Sequence, residues 1–493
     1  MIPLDSTIIS RLISLVLLLI MTRASLRILH NLIFSSLKII PGPLLFRAAG
    51  LPLLLAGLTG NRTSTIHKIH LKYGPVVRIG PNELSFSGIN HVNDIYGQSS
   101  VFLKAPIYKS LARKGIFSMR KKEDHRARRK LLSHAFAHST LLNLEPLIVS
   151  HVQKLSARIS ETIDQPLDVL YWFRMLALDI VGELFLGKSF DALENDHPLS
   201  YAHDLDNFAL TFGIEENWPF VAKLLRTIGP ANLTEFLSAH TRVYQFGADA
   251  YYEYIARNGR SSRQKDLLCK MIEAANVEKG SVTDDEIADE TSNLIFAGTD
   301  TTSTTLTYLF WVLARSASLQ DSLYQEIKNF IAIKPDFKST DLAGLKTLDA
   351  VIKETLRVYS AAPSSLQRIT PSHGGRVDDV AIPPATIVSM QCFTTHRDSI
   401  VFPKPDCFDP DRWLKTDGGT TQMKEMFMPF TKGPRTCLGK NLALMEMKLI
   451  TVLLLGRYSI KVAAEMTVAD MDMRDHFLLF PKGKKFVLQF SER

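Results

Sequence analysis

The residues with the clearest chemical potential surround a cysteine near the C-terminal end of the chain. Cys437 lies between Gly433 and Gly439, with Arg435 two residues before it and Phe430 seven before it. The apolar segment that follows is typical of a helix, and a thiol at a helix N-terminus meets free N–H donors and the positive end of the dipole. Those contacts lower the pKa of a thiol and favour thiolate. The segment therefore predicts that Cys437 is a thiolate ligand and that Gly433 and Gly439 leave room for a flat, wide partner. A buried structural cysteine is the alternative.

A second unusual segment is rich in hydroxyl groups. From Thr299 to Thr307, seven of nine residues are Thr or Ser, and Asp300 lies among them. Relative to alanine, these residues and Gly298 give up about 4 kcal/mol of helix propensity in total. Ser and Thr hydroxyls can bond back to a helix carbonyl and bend the helix. We therefore expect this segment to serve a chemical purpose that Ala and Leu cannot serve.

Several predicted elements would position these residues. A capping box at Thr283–Glu286 starts a helix that we expect to run to about Arg315 and to carry the hydroxyl-rich segment. A second helix is predicted for Leu345–Val358, and a last amphipathic helix for Leu438 to about Leu455. Short strands are predicted at 74–86, between Arg368 and Ile387, and at Lys485–Phe490. The chain shows no internal repeats and no composition break that would indicate a second domain.

Four segments together resemble the cytochrome P-450 family, most closely its fungal microsomal members. They are Ala297–Thr302 (AGTDTT), the pair Glu354 and Arg357 (ExxR), Pro410–Trp413 (PDRW), and Phe430–Gly439 (FTKGPRTCLG). They occur in the family's order, and the resemblance covers the chain from Pro41 onward. It implies a mainly α fold, a large helical bundle around haem with small β-sheets. Glu354, Arg357 and Arg412 would then form a buried charge network that braces the cysteine loop, whereas a solvated pair is the alternative for Glu354 and Arg357 alone.

The resemblance also implies the cofactor, haem b (iron protoporphyrin IX), and its contacts. Cys437 would be the axial ligand of the iron, pushing electron density toward bound oxygen, and Phe430 would shield its sulfur from water. Asp300 and Thr301 would be the catalytic residues that supply protons. His125 stands where the family usually has Trp, and its imidazole can still donate to a propionate. The full set of residues expected to bind the cofactor is Cys437, Phe430, Gly433, Arg435, Gly439, His125, Arg129, Arg368 and Ala297.

The implied activity is that of a monooxygenase, which inserts one oxygen atom from O2 into a lipophilic small molecule. The fungal resemblance suggests a secondary metabolite such as a terpenoid or polyketide. The chain has no Gly-rich dinucleotide fingerprint, so electrons would come from NADPH through a separate reductase with an acidic docking face, and cytochrome b5 is a second candidate donor. A basic face would receive the reductase, formed by Lys121, Lys122, Arg126, Lys432, Lys440 and Lys448.

Two alternatives stay open at this point. A P-450-type enzyme can rearrange or dehydrate an oxidised substrate without O2, and a haem protein can be non-catalytic. The pair Asp300–Thr301 favours the monooxygenase, because the O2-independent reaction does not need a proton relay. The substrate pocket is expected from separated segments that contain Phe117, Phe208, Phe212, Phe296 and Phe477; the segments are 102–117, 206–221, 294–301, 361–367 and 473–479.

Composition and the N-terminus limit location and partners. The 493 residues carry a net charge of +8 without a basic stripe, so we expect no nucleic-acid binding. The four cysteines contain no CxxC pair, which argues against zinc and for a reducing compartment. The apolar run Ile8–Met21 is short for a spanning helix. Residues 1–40 are interpreted as a single-pass signal anchor in the endoplasmic reticulum membrane, and residues 41–493 as a domain on its cytosolic side, because basic residues follow the run. A cleaved signal peptide is the alternative.

Overall fold

Twenty-one α-helices and twelve short strands form the part of the chain described by the computed structural model, residues 6–133, 135–195, 199–260, 266–277 and 282–493. The mainly helical fold with small sheets agrees with the fold class expected from the sequence. The helices are α1 (Ser6–Leu29), α2 (Leu44–Ala48), α3 (Leu51–Leu58), α4 (Arg62–Tyr73), α5 (Ile89–Tyr96), α6 (Tyr108–Leu111), α7 (Lys122–Ser133), α8 (His138–Glu161), α9 (Val169–Leu186), α10 (Ser200–Asn217), α11 (Pro219–Ile228), α12 (Ala231–Leu237), α13 (Ala239–Asn258), α14 (Leu267–Val277), α15 (Asp284–Arg315), α16 (Ala317–Ile333), α17 (Lys346–Val358), α18 (Cys392–Thr395), α19 (Asp411–Leu414), α20 (Thr421–Met426) and α21 (Lys440–Leu455).

The described strands form four small sheets. The strands are β1 (Val76–Gly80), β2 (Glu83–Phe86), β3 (Leu103–Lys104), β4 (Pro166–Asp168), β5 (Arg368–Ile369), β6 (Gly375–Val377), β7 (Val380–Ile382), β8 (Ile387–Ser389), β9 (Tyr458–Val462), β10 (Met473–His476), β11 (Leu478–Pro481) and β12 (Val487–Glu492). In one sheet of five strands the order is β1-β2-β8-β5-β3, with β2 and β8 parallel and the other pairs antiparallel. A second sheet has the order β4-β12-β9, and two hairpins pair β6 with β7 and β10 with β11.

Helix α15 runs through the middle of the main hydrophobic core. The Oγ1 atom of Thr283 accepts the Glu286 N–H at 3.2 Å, and three acidic residues follow in the first turn, where they complement the helix dipole. The start and the end at Arg315 agree with the sequence prediction. Along most of its 32 residues the side chains are buried, because α15 packs between α9 and α13 and also contacts α17 and α21. Any group in this helix therefore has its environment set by several neighbouring elements.

The other elements predicted near the cysteine differ from the structure only at their ends. The predicted helix Leu345–Val358 is α17, and the last helix, α21, begins at Lys440 because a 3-10 turn at Gly433–Arg435 and an irregular stretch precede it. The predicted strand Lys485–Phe490 is β12, which begins and ends two residues later. Cys437 consequently lies just before the first turn of α21.

The N-terminal segment is apolar and lies outside the core. Helix α1 is followed by a π-helical stretch at His30–Phe34. The residues from Ser14 to Phe34 have a mean hydropathy of 1.5, and none of them is buried. Among the described residues this is the single helical stretch long and apolar enough to cross a membrane, and a signal sequence passes the same test. It begins six residues after the start of the predicted run Ile8–Met21 and ends thirteen residues after its end, and residues 1–5 lie outside the described residues.

Candidate active site

A cavity of about 330 Å³ lies among α15, the start of α21 and the loop that carries Cys437. Its volume is within the range of small-molecule pockets. Of the eleven residues predicted for the site, nine line this cavity: Cys437, Phe430, Arg435, Gly439, His125, Arg129, Arg368, Ala297 and Thr301. Gly433 and Asp300 do not line it.

Cys437 is held in place by its own loop. Its backbone N–H donates to the carbonyl of Phe430 at 2.9 Å, which closes the loop. The backbone N–H groups of Gly439 and Lys440 and the charge of Arg129 act to lower the pKa of the thiol, but burial outweighs them and the net pKa is raised. The helix N-terminus thus acts in the direction expected from the sequence, and burial of the thiol acts against it. A metal ion that coordinates the sulfur deprotonates it in any case.

The two glycines of the loop have different surroundings. Gly433 has a φ of +64°, and a Cβ atom there would lie 2.0 Å from the carbonyl oxygen of Tyr96. Its small size is therefore required by packing against Tyr96, away from the cavity. A Cβ atom on Gly439 would meet nothing nearer than the Phe136 ring at 4.0 Å, and Gly439 faces the cavity. Gly439 thus leaves the cavity floor open to a wide group.

A cluster of cationic side chains borders the same cavity. Arg129 donates to the Thr436 carbonyl at 2.7 Å, Arg435 to the Met119 carbonyl at 2.6 Å, and Arg368 to the Gln367 carbonyl at 3.0 Å. Lys104 donates to the Phe117 carbonyl and lies 4.2 Å from the centre of the Tyr108 ring. Among the described residues, no ion pair joins any of these four cations to a carboxylate.

Burial and mutual repulsion change the pKa values in this cluster. Burial, with smaller effects from nearby positive charges, lowers the pKa of Arg435 to about 10, and burial lowers that of Lys104 well below its usual value. The pKa of His125 falls to about 3 through burial, followed by the repulsion of Arg435 and Lys104, so its imidazole is neutral. Excess positive charge beside a cysteine fits the two propionates of haem, which would neutralise it. The donor set present thus fits the cofactor that the sequence predicts.

Lys104 and Tyr108 lie in the segment 102–117, which lines the cavity as predicted, although neither was expected to contact the cofactor. Both are almost fully buried, although Lys is among the residue types least often buried without a partner. The available signal was a single lysine inside the apolar stretch VFLKAP. The role of this lysine depends on the pairing of β3 with β5, because that pairing brings Lys104 opposite Arg368.

Asp300 and Thr301 are adjacent in sequence but face different surroundings. The Thr301 hydroxyl lines the cavity and donates to the Ala297 carbonyl at 2.7 Å. Asp300 is buried outside the cavity, where its carboxylate accepts from Nε of Arg174 at 3.2 Å, and Arg174 also pairs with Asp206 at 2.5 Å. Burial raises the pKa of Asp300 and outweighs the opposing effect of Arg174. The structure therefore does not bring the two predicted catalytic groups together at the cavity.

Most hydroxyl groups of the hydroxyl-rich segment are satisfied inside the helix. Those of Thr299, Ser303, Thr305 and Thr307 each donate to the carbonyl four residues earlier, at 2.8–2.9 Å. These bonds explain how a buried helix can hold so many polar side chains. Gly298 has a packing role as well, because a Cβ atom there would lie 2.6 Å from Val181 Cγ2 in α9.

The charge network around Glu354 is present and buried, as expected. Its carboxylate accepts from Arg357 at 2.8 and 2.9 Å, from Arg412 at 3.0 Å and from the Trp413 indole at 2.8 Å. The solvated alternative for Glu354 and Arg357 is wrong, since both side chains are fully buried. His396 links this network to the cysteine loop, because Nδ1 donates to the Arg357 carbonyl at 3.0 Å and Nε2 accepts the Met428 N–H at 2.9 Å.

The part of the cavity beyond Thr301 is mainly apolar and aromatic. Phe117, Phe208, Phe296 and Phe477 line it as predicted, whereas Phe212 lies outside it, in a cluster with Ala105 and Tyr108. Phe477 has a φ of +80° at the tip of the β10–β11 hairpin, a strained conformation that points to a functional constraint. Two polar residues of α15, Glu290 and Asn293, also line this part, and sequence reasoning missed both.

A second acid, Glu446 of α21, lines the cavity near Thr302. It is buried, and burial raises its pKa to about 8, while a hydrogen bond with Thr302 acts in the opposite direction. At neutral pH its carboxyl group is therefore mostly protonated. Sequence reasoning missed Glu446 because a glutamate inside an amphipathic helix is usually solvated.

Comparison with known proteins indicates a single protein family. The family model described as "Cytochrome P450" matches residues 41–488. The cytochrome P450 monooxygenase tazI of Aspergillus terreus is 31% identical over 463 residues, covering 91% of this chain and 93% of the relative. The cytochrome P450 monooxygenase ORF9 of Penicillium roqueforti is 33% identical, covering 88% of this chain and 86% of the relative. Averantin hydroxylase of Aspergillus parasiticus is 29% identical, covering 91% and 90%.

Proposed function

This chain belongs to the cytochrome P450 family, and on that premise we propose that it inserts one oxygen atom from O2 into a lipophilic secondary metabolite such as a terpenoid or polyketide. The curated relatives are monooxygenases, so the chain is an oxidoreductase of the same class. The observation that carries the proposal is a cysteine thiol facing a largely apolar cavity beside cations that no described carboxylate neutralises. The name of averantin hydroxylase supports a secondary metabolite as the substrate class.

The family implies a haem cofactor, and we propose that it is haem b. Cys437 would hold its iron, Phe430, Gly439 and Ala297 would contact it, and Arg129, Arg368 and Arg435 would hold its propionates. Neutral His125 would donate one hydrogen bond, and Lys104 would add a further charge. Gly433 would act indirectly by allowing the loop to pack on Tyr96. When bound, the haem supplies the reductive activation of dioxygen.

Thr301 and Asp300 are proposed to move protons toward the cavity. Thr301 holds its hydroxyl proton at the cavity wall, where the back-bond to Ala297 fixes its direction. Asp300 would resupply that proton, which requires its side chain to turn away from Arg174. Burial raises the pKa of the Asp300 carboxyl group, so the group binds a proton more readily than a solvated aspartate does. This property suits a residue that passes a proton on.

We propose that a separate NADPH-cytochrome reductase with an acidic docking face delivers the electrons, with cytochrome b5 as a second donor. Lys121, Arg126 and Lys440 are exposed and can contribute to a basic face. Lys122 and Lys432 are half-buried, and each donates to a backbone carbonyl. Lys448 pairs with Asp349 at 3.2 Å and contributes little to that face.

The proposed location is the endoplasmic reticulum membrane. Residues 1–40 would form a single-pass anchor and residues 41–493 the haem domain on the cytosolic side. The apolar, unburied stretch from Ser14 to Phe34 supports an anchor, and the family match that begins at residue 41 supports the division.

One observation favours a second candidate function. The ion pair between Asp300 and Arg174 holds the carboxylate outside the cavity. A P450-type enzyme that rearranges or dehydrates an oxidised substrate without O2 would tolerate that arrangement, because it needs no proton relay.

The test uses microsomes that contain the full chain and a fungal NADPH-cytochrome reductase. They are supplied with candidate terpenoids and polyketides under O2 or under argon. The proposal expects product that requires both NADPH and O2, and an oxygen atom from ¹⁸O2 in that product. Product formed equally under argon would overturn it in favour of the second candidate. Replacing Thr301 by Ala should lower product per NADPH consumed, with Thr304→Ala, outside the cavity lining, as the matched control.

A further inference from the structure

Helix α15 presents one face to the cavity along about three turns. Glu290, Asn293, Ala297 and Thr301 lie on this face at helical spacing, and all of them line the cavity. Near its C-terminal end this face meets α21, because Thr302 hydrogen-bonds with Glu446. Since α21 follows Cys437 directly, reaction chemistry belongs to that end, and Glu290 marks the remote end.

Glu290 is a buried carboxyl group with spare hydrogen-bonding capacity, and burial raises its pKa to about 7. Its side chain is 1% exposed. Oε2 accepts the Ile116 N–H at 2.9 Å and lies 3.5 Å from Nη1 of Arg128. Oε1 is buried and has no partner in the part of the chain that the structure describes. An acceptor left without a partner in a buried position is costly, so this oxygen is suited to receive a donor from a ligand.

The neighbours of Glu290 indicate which kind of donor it suits. Arg128 lies between Glu286 and Glu290 and already serves as their counter-ion. A second cation is therefore unnecessary for charge balance. Asn293, one turn further along, donates to the Arg113 carbonyl at a long 3.4 Å, so its amide has capacity left as well. A hydroxyl group can donate to one of these side chains and accept from the other, which an ammonium group cannot do.

The remaining cavity wall selects an aromatic or polycyclic body for the ligand. Phe208 and Phe296 lie 4.4 Å apart, and Phe117 and Phe477 lie 6.0 Å apart, measured between ring centres. Aromatic side chains at these separations favour offset or edge contacts with flat ligands. The polar pair on α15 is thus an isolated anchor in an apolar environment, which gives a hydroxyl group there a defined position.

We propose that Glu290, with Asn293, binds a hydroxyl group of the substrate. The rise of the helix from Glu290 to Ala297 then sets that hydroxyl group roughly 10 Å from the carbon that is oxidised. The preferred substrates are accordingly flat, lipophilic molecules with a phenol or alcohol at the end opposite the reacting carbon. This inference rests on the proposed function, whose substrate class it narrows.

The experiment measures binding to the purified holoprotein without reductase or NADPH. The probes are 4′-propylbiphenyl-4-ol and 4-propylbiphenyl, which differ only in the hydroxyl group, and 4′-propylbiphenyl-4-amine. Dissociation constants are obtained by calorimetry and from the Soret change. At about pH 8, where the carboxyl group of Glu290 is mostly ionised, we expect the hydroxyl compound to bind about tenfold more tightly than its parent, since a hydrogen bond to a charged group has that effect.

Variants then assign the preference to Glu290. Glu290→Ala should reduce the ratio of the two dissociation constants to about one, and the near-isosteric Glu290→Gln should reduce it at least threefold, a consequence of losing the charge. Glu286→Gln is the matched control, because Glu286 also pairs with Arg128 but does not line the cavity. It should keep the wild-type ratio.

Several outcomes would overturn the inference. They are equal affinity of the wild type for the hydroxyl compound and its parent, a hydroxyl preference that survives in both Glu290 variants, or a stronger preference for the amine. Failure of the monooxygenase proposal is seen separately, as absence of O2-dependent product, so the two results are distinguishable.

Discussion

At the scale of single residues, the main finding is that charge and neutrality around the cavity are set by burial. His125 is neutral, whereas Arg129, Arg368 and Arg435 line the same cavity and no described carboxylate pairs with them. On the far side of α15, Asp300 has a cationic partner, Arg174. The cations that line the cavity without a described carboxylate partner fit the binding of an anionic cofactor. The carboxylate that Arg174 holds on the far side of α15 fits a control of proton access to the cavity.

Removing Arg174 should destabilise the fold strongly. In Arg174→Ala, Asp300 would stay buried without its counter-ion, and breaking a buried pair in this way costs about 3–5 kcal/mol of unfolding free energy. Urea unfolding followed by circular dichroism measures the loss. Asp206→Asn removes the charge of the other partner of Arg174. The Asp206 side chain is 28% exposed, so this substitution should lower the unfolding free energy by about 1 kcal/mol or less. A smaller loss for Arg174→Ala than for Asp206→Asn would contradict the buried ion pair.

The raised pKa of Glu446 predicts that the stability of the fold decreases as the pH rises. The pKa of Glu446 is about 8 in the folded protein and 4.5 in the unfolded chain, so folding favours its protonated form. Its contribution to stability is complete below about pH 4.5 and is lost as the pH rises toward 8, by up to about 1.4 kcal/mol per pH unit.

Glu446→Gln, which stays neutral, should lack this loss. The difference in unfolding free energy between Glu446→Gln and the wild type should therefore increase in favour of the variant from pH 5 to pH 8. Urea titrations at successive pH values measure it. Parallel pH profiles for the two proteins would show that Glu446 is ionised in the fold.

At the scale of elements, α15 joins the cavity to the core, and its small residues serve both. Ala297 and Thr301 face the cavity, while Gly298 also allows α15 to approach α9 closely. The motif AGTDTT identifies the helix in the sequence, but the contact with Val181 is a property of two packed helices.

Gly298→Ala should be destabilising for that reason. The added Cβ atom would lie 2.6 Å from Val181 Cγ2, and overpacking of a core costs about 1–3 kcal/mol. The double variant Gly298→Ala/Val181→Ala should recover part of this loss, which thermal unfolding of the single and double variants measures. Additive effects of the two substitutions would argue against a direct contact.

At the scale of the whole molecule, local signals predicted much of the architecture. The capping box at Thr283 placed the start of α15 correctly. The resemblance to the P-450 family, rather than the spacing of Glu354 and Arg357 alone, predicted their buried network. The individual roles of Lys104, Glu290 and Glu446 could not be recognised, because their burial results from contacts between elements far apart in sequence. The same holds for Asp300: its position in a motif predicted a role at the cavity, but only the packing of α9 reveals Arg174 beside it.

The most direct test of Cys437 as the haem ligand is the reduced carbon-monoxide difference spectrum of the full chain, measured beside its haem content. We expect a thiolate-type Soret shift that disappears in Cys437→Ser. Cys407→Ser, which changes an exposed cysteine outside the cavity lining, should keep the shift. Protein that holds one haem per chain but shows no thiolate-type shift, or keeps it in Cys437→Ser, would contradict the assignment of Cys437 and the monooxygenase that depends on it.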